Sequence, residues 1–362
     1  MSHVLVSPLN WGLGHATRDI PIIKTLLSHG HDVTIAACGS ALAVLRKEFP
    51  ECSSIDYPDY PVPYSSGHFF IPKFCASFPS LLQAIAEERS VLDRILAKDK
   101  YDLIISDNRL GVFSSEVPSV FVTHQLHYHL PFPLWPVELL AIPANAVLHE
   151  KFRHIVVPDN PPGPTSLAGK LSRPETDIAR ERVFFSGILS GAKTMACQQD
   201  LDYLFVISGP EPQRTFLETI LTEKLEDFSG KGVVLLGSPQ KPFTTKKAGR
   251  CTCISYASTE EKMQLMNRAR CICCRSGYTT MMELAELGKQ RALLIPTPGQ
   301  TEQEYLSWYY EKQGWYYSTT QEKLDLSEDL AATRDYKGFP DMPKTEQNTP
   351  ALYDELLAQY LE

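Results

Sequence analysis

Strand-like and helix-like segments alternate along this chain, and that alternation most constrains its fold. Short apolar runs such as residues 3–8 and 32–38 are separated by amphipathic helical patterns. Such alternation is typical of βαβ units around a parallel sheet. The pattern restarts near residue 200 and runs through a second series. The sequence therefore predicts an α/β chain with two doubly wound parallel-sheet, Rossmann-like domains.

The predicted elements fall into two series. In the first, the strands are residues 3–8, 32–38, 103–106, 119–122 and 155–157, and the helices are near 18–28, 41–49 and 79–98. In the second, the strands are 203–208, 232–236, 251–255, 271–274 and 291–296, and the helices are 211–225, 259–269, 279–287 and 302–313. Between the series, DNPPGPTSLAGKLSRP (159–174) is rich in proline, glycine and serine and predicts an interdomain connection. The domains are therefore expected at 1–165 and 166–345.

The composition excludes several classes of protein. With 362 residues, 43% hydrophobic and 22% charged, the chain is long enough to bury a large core. A net charge of −8 argues against nucleic acid as the main partner. No apolar run approaches the roughly 20 residues of a membrane span, and MSHVLVSP lacks the features of a signal peptide. We therefore expect a cytoplasmic protein.

Nine cysteines in such a chain do not predict a disulfide framework. Five of them stand in two short strand-like runs, CTCIS and CICC, at Cys251, Cys253, Cys271, Cys273 and Cys274. The spacing of a structural zinc site holds for Cys271 and Cys274, without a matching second pair. We expect these thiols to be buried in the core.

The turn after the first strand reads LNWGLGHATRDIPI and carries Gly12, Gly14 and His15. A dinucleotide-binding turn needs a third small residue, where this chain has Thr17, and an acid about 20 residues later. The second predicted strand ends at Cys38 without a carboxylate. A nicotinamide cofactor is therefore not expected. His15 is a titratable group at the cleft-facing edge of the predicted sheet, with either a structural or a catalytic role.

The second series has a similar turn, CRSGYTTMMELAELGKQRALLIPTPGQTEQEYL, residues 274–306. A strand ends at Arg275, Ser276 and Gly277, and Glu283 follows in the first two turns of a helix. Glu283 is either a favourable charge near a helix N-terminus, contributing up to about 1 kcal/mol, or an acceptor for a ribose diol. The next turn brings further polar side chains to the same edge: Gln300, Glu302 and Gln303.

Residues 275–305 resemble the C-terminal domain of family 28 glycosyltransferases, the peptidoglycan N-acetylglucosaminyl transferase-like family, whose fold is GT-B. The resemblance implies that Glu283 binds the donor ribose and that the turn at 275–277 binds the donor. It also implies that Gln300, Glu302 and Gln303 lie near the donor sugar. Between Pro298 and Tyr305 the chain is shorter than in that family.

The turn GLGHATRDIP resembles the glycine-rich first turn of GT-B proteins, in which Gly12 and Gly14 would help to hold the donor. The resemblance implies that His15 is the general base, with Asp107 of YDLIISDNRLG as its orienting partner; Asp107 also fits a turn cap. VISGPEPQR (206–214) would offer Ser208 and Gly209 to the β-phosphate. Residues 346–362 would form a helix that crosses back onto the first domain.

The function expected from this resemblance is an inverting transfer of a sugar from a UDP-sugar to a hydroxyl acceptor. The first domain would bind a saccharide, lipid or small-molecule acceptor, and the second the donor, across a cleft. No metal site and no cofactor besides the UDP-sugar co-substrate are expected, since His124, His127 and His129 have no matching carboxylate or cysteine. Two aromatic loops, 57–79 and 123–136, favour an acceptor pocket that includes His124 and Gln125, a packed loop, or a peripheral membrane contact. The oligomeric state stays open.

Two other function classes fit the same residues. Flagellar-sugar UDP hydrolases share the GT-B fold and a GxGHxxR turn, matched here from Gly12 to Arg18, which makes a nucleotide-sugar hydrolase or epimerase the alternative. A non-catalytic nucleotide-sugar-binding protein would keep Glu283 but would not require His15.

Overall fold

The computed structural model describes residues 1–60, 70–127, 149–174, 177–238 and 242–361. These residues form two compact units. The first unit runs from Met1 to Gly191 and resumes at Pro343, and the second unit runs from Ala192 to Met342. The second unit is thus inserted into the chain of the first.

Each unit contains one sheet with flanking helices. The strands are β1 (His3–Pro8), β2 (Asp32–Ala37), β3 (Ser53–Asp56), β4 (Leu103–Asp107), β5 (Ser119–Val122), β6 (His154–Val157), β7 (Val183–Phe185), β8 (Leu201–Val206), β9 (Gly232–Leu235), β10 (Thr245–Ala248), β11 (Cys251–Ile254), β12 (Ala269–Cys274), β13 (Ala292–Leu294) and β14 (Tyr317–Ser318). The described helices are α1 (Leu13–Ser28), α2 (Gly39–Glu48), α3 (Phe70–Leu96), α4 (Asp177–Arg182), α5 (Gln213–Glu226), α6 (Thr259–Arg268), α7 (Tyr278–Glu286), α8 (Thr301–Lys312), α9 (Leu326–Ala332) and α10 (Thr345–Leu352).

In the first sheet the strand order is β3-β2-β1-β4-β5-β6-β7, and all neighbours are parallel. The order reverses between β1 and β4, where Pro8 is in register with Asp107. A reversal of this kind opens a crevice at the carboxyl ends of the two strands. The turn that leads to His15 and the end of β4 therefore meet at this point.

The second sheet has the order β10-β11-β9-β8-β12-β13-β14. Its neighbours are parallel except for β10, which pairs antiparallel with β11 at one edge. The order reverses between β8 and β12, whose last residues Val206 and Cys274 are in register. The turns after these two strands are therefore neighbours.

The C-terminal segment packs on the first unit. Its apolar side chains share a core cluster with α1, α2 and the first sheet: Leu352, Tyr353, Leu356, Leu357 and Leu361. Two polar contacts fix the segment, from Asn348 Nδ2 to the Ile188 carbonyl at 2.9 Å and between Tyr353 Oη and His31 Nε2 at 2.7 Å. Residues 343–361 thus complete the hydrophobic core of the first unit.

The expected boundary at residue 165 is wrong, because residues 166–191 belong to the first unit and β7 extends its sheet beside β6. The stretch 159–174 is not an interdomain connection. It folds around the buried Asp159 carboxylate, which accepts bonds from the N–H groups of Leu167 (2.7 Å) and Ala168 (3.0 Å) and from the hydroxyls of Ser166 and Ser172. Its turn residues satisfy a buried charge within one unit.

The sequence pattern missed several elements. These are short or polar: β3, β7, β10, β14 and α9. Two helices also begin earlier than expected, α3 at Phe70 and α1 at Leu13, and the latter start places His15 in the first turn of α1. The cysteines of β11 and β12 are buried thiols, as expected, and no disulfide joins the described cysteines. Among the described helices, none has the length and apolar character needed to span a bilayer.

Candidate functional sites in the two units

His15 and Asp107 lie together in the first unit. His15 Nδ1 is 2.7 Å from Asp107 Oδ1, and the side chains are 14% and 0% exposed. A carboxylate only accepts hydrogen bonds, so Nδ1 carries the proton of this bond. The described contacts of the ring use Nδ1, which leaves Nε2 as the nitrogen that can accept a proton. This is the geometry of an oriented base.

Arg18 holds the same carboxylate from the other side. Its Nε donates to Asp107 Oδ2 at 2.6 Å and its Nη2 donates to Oδ1, so the guanidinium fork meets both oxygens. Nη1 lies 3.2 Å from Nδ1 of His124, which is 7% exposed. Arg18 therefore connects Asp107 of the predicted catalytic pair with His124, the predicted acceptor-binding histidine.

The pKa values in this cluster favour a neutral imidazole beside a charged carboxylate. Burial lowers the pKa of His15, and the positive charge of Arg18 acts in the same direction, whereas Asp107 opposes both. Burial alone would raise the pKa of Asp107, but Arg18 and His15 hold it well below its usual range. His15 is therefore ready to accept a proton near neutral pH.

Asp19 is a third titratable group at this place. It follows Arg18 on α1, one helical turn after His15, and is completely buried. Neither carboxyl oxygen has a hydrogen-bond partner among the described residues when the group is ionised. Burial, together with the charge of Asp107, raises the pKa of Asp19 well above its usual range, against the opposing effect of Arg18.

A buried network supports the end of β4. The Arg109 guanidinium is fully buried and donates to the Pro8 carbonyl at 2.8 Å, to the Pro58 carbonyl and to Glu88 at 2.7 Å. Glu88 also accepts a bond from the Tyr60 hydroxyl. These bonds tie the ends of β1 and β4 to the segment before residue 61 and fix the turn that follows Asp107.

The glycine turn reaches α1 without a capping side chain. Gly12 precedes the helix at φ 95°, where a side chain would be strained, and makes no side-chain capping bond. Gly14 lies within the first turn, and its carbonyl accepts a bond from Thr17 at 3.0 Å. Gln125 is partly buried after β5, and its N–H donates to Thr123 Oγ1 at 3.1 Å. Of the two aromatic loops, much of 57–79, and residues 128–136 including His129, lie outside the described residues.

In the second unit, the turn after β12 meets the turn after β13. Ser276 Oγ donates to the Gln303 carbonyl at 2.8 Å and accepts from Ser307 Oγ at 2.9 Å. Gln303 Oε1 accepts from the Thr297 N–H at 2.9 Å, and its Nε2 donates to Gln300 Oε1. The amide side chains predicted near the donor sugar therefore lie beside the predicted donor-binding turn.

Glu283 is 6% exposed on α7 and pairs with a lysine on the neighbouring helix α6. Lys262 Nζ lies 2.8 and 2.7 Å from its two oxygens, and the lysine side chain is 28% exposed. A carboxylate offers about four acceptor positions, so this pair leaves positions for hydroxyl groups. Lys262 fixes the direction in which Glu283 points.

Arg275 differs from the sequence expectation, since its guanidinium points into the protein. It is 2% exposed and donates to the carbonyls of Ile295, Pro296 and Gln213 and to Gln321 Oε1, at 3.0 to 3.1 Å. Burial lowers its pKa to about 10. The guanidinium of Arg275 therefore stabilises the turns from within, and a role of this residue in donor binding stays a prediction.

The turn after β8 approaches the turn after β13 at Gly209. Ser208 and Gly209 are exposed after β8, and Gly209 has φ 117°. A Cβ at Gly209 would lie 3.6 Å from Thr297 Oγ1, a buried hydroxyl without a partner among the described residues. Glu302 lies in the first turn of α8 and is partly buried. The donor residues predicted in the second unit thus follow the strands at one edge of its sheet or lie on the next helices, whereas Gly12 and Gly14 lie in the first unit.

Sequence reasoning did not assign roles to four of these residues. Arg18 and Asp19 follow His15 by three and four positions, so their shared helix face was readable once α1 was known to begin at Leu13. Lys262 and Thr297 carry no local signal, because tertiary packing alone brings them to their partners.

The sequence and the fold of the chain were compared with those of known proteins. No protein-family model matches the chain, and no curated protein matches its sequence. Solved structures similar to it include the calicheamicin glycosyltransferase CalG4, with a TM-score of 0.66 and 15% identity over 100% of this chain and 98% of that one. The chain has the GT-B fold.

Two further structures support this assignment. The spinosyn rhamnosyltransferase SpnG complexed with thymidine diphosphate has a TM-score of 0.62 and 14% identity, covering 99% of this chain and 96% of its own. MurG of Acinetobacter baumannii has a TM-score of 0.56 and 13% identity, covering 97% and 94%. At such identity the likeness shows the fold, which confirms the α/β expectation, and membership of family 28 stays a prediction.

Proposed function

We propose that this protein is an inverting glycosyltransferase that moves a sugar from a UDP-sugar to a hydroxyl acceptor. The observation that carries the proposal is the 2.7 Å bond from His15 Nδ1 to Asp107, which orients Nε2 as a base. The likeness over nearly the whole chain to solved structures of glycosyltransferases supports it.

In the proposed reaction, His15 Nε2 removes the proton of the acceptor hydroxyl while the oxygen attacks the anomeric carbon. The bond from that carbon to the β-phosphate oxygen breaks, and UDP leaves with the electron pair. Attack from the face opposite UDP inverts the configuration, so a UDP-α-sugar yields a β-linked product. Asp107 stabilises the imidazolium that forms, and His15 becomes neutral again when it releases the proton.

The second unit would hold the donor. Glu283 would accept bonds from the ribose hydroxyls, and the N–H groups around Ser208, Gly209 and Gly277 would face the diphosphate. Gln300, Glu302 and Gln303 would contact the sugar. The similar structure of SpnG is a complex with thymidine diphosphate, so the test compares nucleotides that differ in their base.

A nucleotide-sugar hydrolase is the second candidate, favoured by the way Arg18 of the GxGHxxR turn engages Asp107. Water would then take the place of the acceptor, with the same base and the same leaving group. Rapid release of UDP without an added acceptor would support this candidate over the transferase.

Two measurements test the proposal. In a thermal-shift panel of nucleoside diphosphates and their sugars at one common concentration, we expect UDP compounds to stabilise the protein most. A concentration of 100 times the dissociation constant of UDP would add about 2.7 kcal/mol of stability. We then expect His15→Ala to lower turnover of the best donor by about 10² to 10⁴ with nearly unchanged UDP affinity. A fully active His15→Ala variant, or a product that retains the α-linkage, would refute the mechanism.

A further inference from the structure

Asp19 is a buried carboxyl group that the proposed reaction does not use. Three side chains of α1, His15, Arg18 and Asp19, surround Asp107 of β4. Asp19 is 0% exposed, and as an ionised group both of its oxygens would lack a hydrogen-bond partner among the described residues. Such an arrangement is costly unless the group changes its protonation state.

We propose that Asp19 keeps its proton in the folded protein and donates it in a hydrogen bond to Asp107. Asp19 is then a positioning residue for the His15–Asp107 pair. The protonation state is argued from the burial and the unpartnered oxygens of Asp19, and its effect on the reaction rests on the proposed function.

Charge balance supports this assignment. Among the described residues, the charged and titratable groups of this cluster are His15, Arg18 and Asp19 from α1, Asp107 from β4, and His124 after β5. With Asp19 ionised, two buried carboxylates would share one guanidinium and a neutral imidazole, which leaves a buried negative charge uncompensated. With Asp19 protonated, one carboxylate faces one guanidinium.

Hydrogen bonding leads to the same conclusion. Two carboxylates are both acceptors and cannot bond to each other, whereas a protonated carboxyl group donates to a carboxylate. Burial raises the pKa of Asp19, and the charge of Asp107 and a hydrogen bond to it act in the same direction, so both favour the protonated form. The proton therefore satisfies Asp19 and adds a further donor to those that Asp107 receives from His15 and Arg18.

The proton on Asp19 also affects the base. A hydrogen bond to Asp107 weakens the pull of that carboxylate on the proton of the imidazolium, and so favours neutral His15. Without this bond, Asp107 would stabilise the imidazolium more strongly. Removing the donor at position 19 should therefore raise the pKa of His15.

Infrared spectroscopy tests the protonation state without any activity. At pH 7 we expect the difference spectrum of wild type minus Asp19→Asn to contain the C=O stretch of a protonated carboxylic acid. The same band should appear in the difference spectrum of wild type minus Asp19→Ala, so the test can still be made if Asp19→Asn does not fold. Asp32→Asn, a change of an exposed carboxylate in the same unit, is the matched control and should leave the band in place. Only ionised carboxylate bands in the difference spectrum would overturn the proposal.

Titration of His15 by NMR tests the positioning role. Because the amide of Asn also donates a hydrogen bond, we expect Asp19→Asn to titrate like wild type and Asp19→Ala to raise the pKa of His15 by about one unit. A shift of equal size in both variants, or in neither, would contradict this role. Both experiments need no substrate, so absence of transferase activity would count against the proposed function and leave the proton on Asp19 standing.

Discussion

The two units place different chemistry at equivalent points of similar sheets. In the first, the reversal of strand order between β1 and β4 carries ionisable side chains with little exposure that bind one another, Arg18, Asp107 and His15. In the second, the reversal between β8 and β12 carries exposed glycine and serine, with amide side chains nearby. The first arrangement suits the holding and transfer of a proton. The second suits an anion and the hydroxyl groups of a ligand.

The strand order therefore places the sites but does not determine their chemistry. Each unit also contains a basic side chain that pairs with the carboxylate of a predicted site residue. Arg18 is almost fully buried on Asp107, whereas Lys262 is 28% exposed on Glu283. This contrast in burial gives the comparison its most direct test.

The largest expected effect is on stability. Arg18→Met should destabilise the first unit by about 3–5 kcal/mol, because it leaves Asp107 as an uncompensated buried charge. Lys262→Met should destabilise the second unit less, by about 1–3 kcal/mol, because Glu283 also loses its cation but lies where water reaches the partly exposed pair. Hydrogen exchange of the amides in β1 and β4, compared with those in β8 and β12, separates the two units. Equal losses in both would contradict the contrast.

The next effect is on donor binding. Glu283→Ala should weaken UDP by about 1.5–3 kcal/mol, since ribose hydroxyls lose a charged acceptor. Thymidine diphosphate lacks the 2′-hydroxyl, so the same variant should also lose much of the preference for UDP over it. Isothermal titration calorimetry measures both values, and Glu286→Ala on the same helix is the control. Unchanged UDP affinity in Glu283→Ala would remove this residue from the site.

The pH dependence of kcat/KM should reflect His15. The base acts in its neutral form and its pKa is lowered, so activity should stay level from pH 8 to about 6.5 and then fall by about tenfold per pH unit below the lowered pKa. Unfolded His15 binds a proton below about pH 6.5 while the folded residue does not, so its contribution to stability is lost as the pH falls from there to the folded pKa. The residual activity of His15→Gln should lack this acid limb. An identical limb in the variant would assign it to another group.

The smallest expected effect is that of metal removal. If the N–H groups of the turns in the second unit neutralise the leaving diphosphate, EDTA should change turnover by less than about twofold. Complete loss of turnover in EDTA, restored by Mg²⁺ or Mn²⁺, would show that this unit binds the donor in another way.

The alternation of strands and helices was readable from the sequence because buried parallel strands are short apolar runs. The pairing of His15 with Asp107 was also predicted, since both follow strands that a doubly wound sheet places side by side. Their catalytic role stays a prediction. The start of α1 was not readable, because Gly12 precedes its first residue and Gly14 lies in its first turn, and glycine usually weakens a helical pattern or lies at its border.

Other features depended on contacts distant in sequence. The proline-rich stretch 159–174 folds around the buried carboxylate of Asp159. Composition does not reveal these bonds, so it suggested a linker. Arg275 was assigned to donor binding from its place in a turn, although its acceptors come from segments 20 to 62 positions away. Local patterns report which residues follow a strand, but the direction of a side chain is set by the acceptors that packing brings to it.

The return of residues 343–361 to the first unit affects the order in which the chain can fold during synthesis. The second unit is continuous from Ala192 to Met342, so all of its strands are synthesised before the last segment of the first unit. Until then, the surface that receives Leu352, Leu356 and Leu361 is exposed on α1 and the first sheet. The unit that begins translation first is therefore the last to bury its core, and during that interval its apolar surface is open to chaperones or to aggregation.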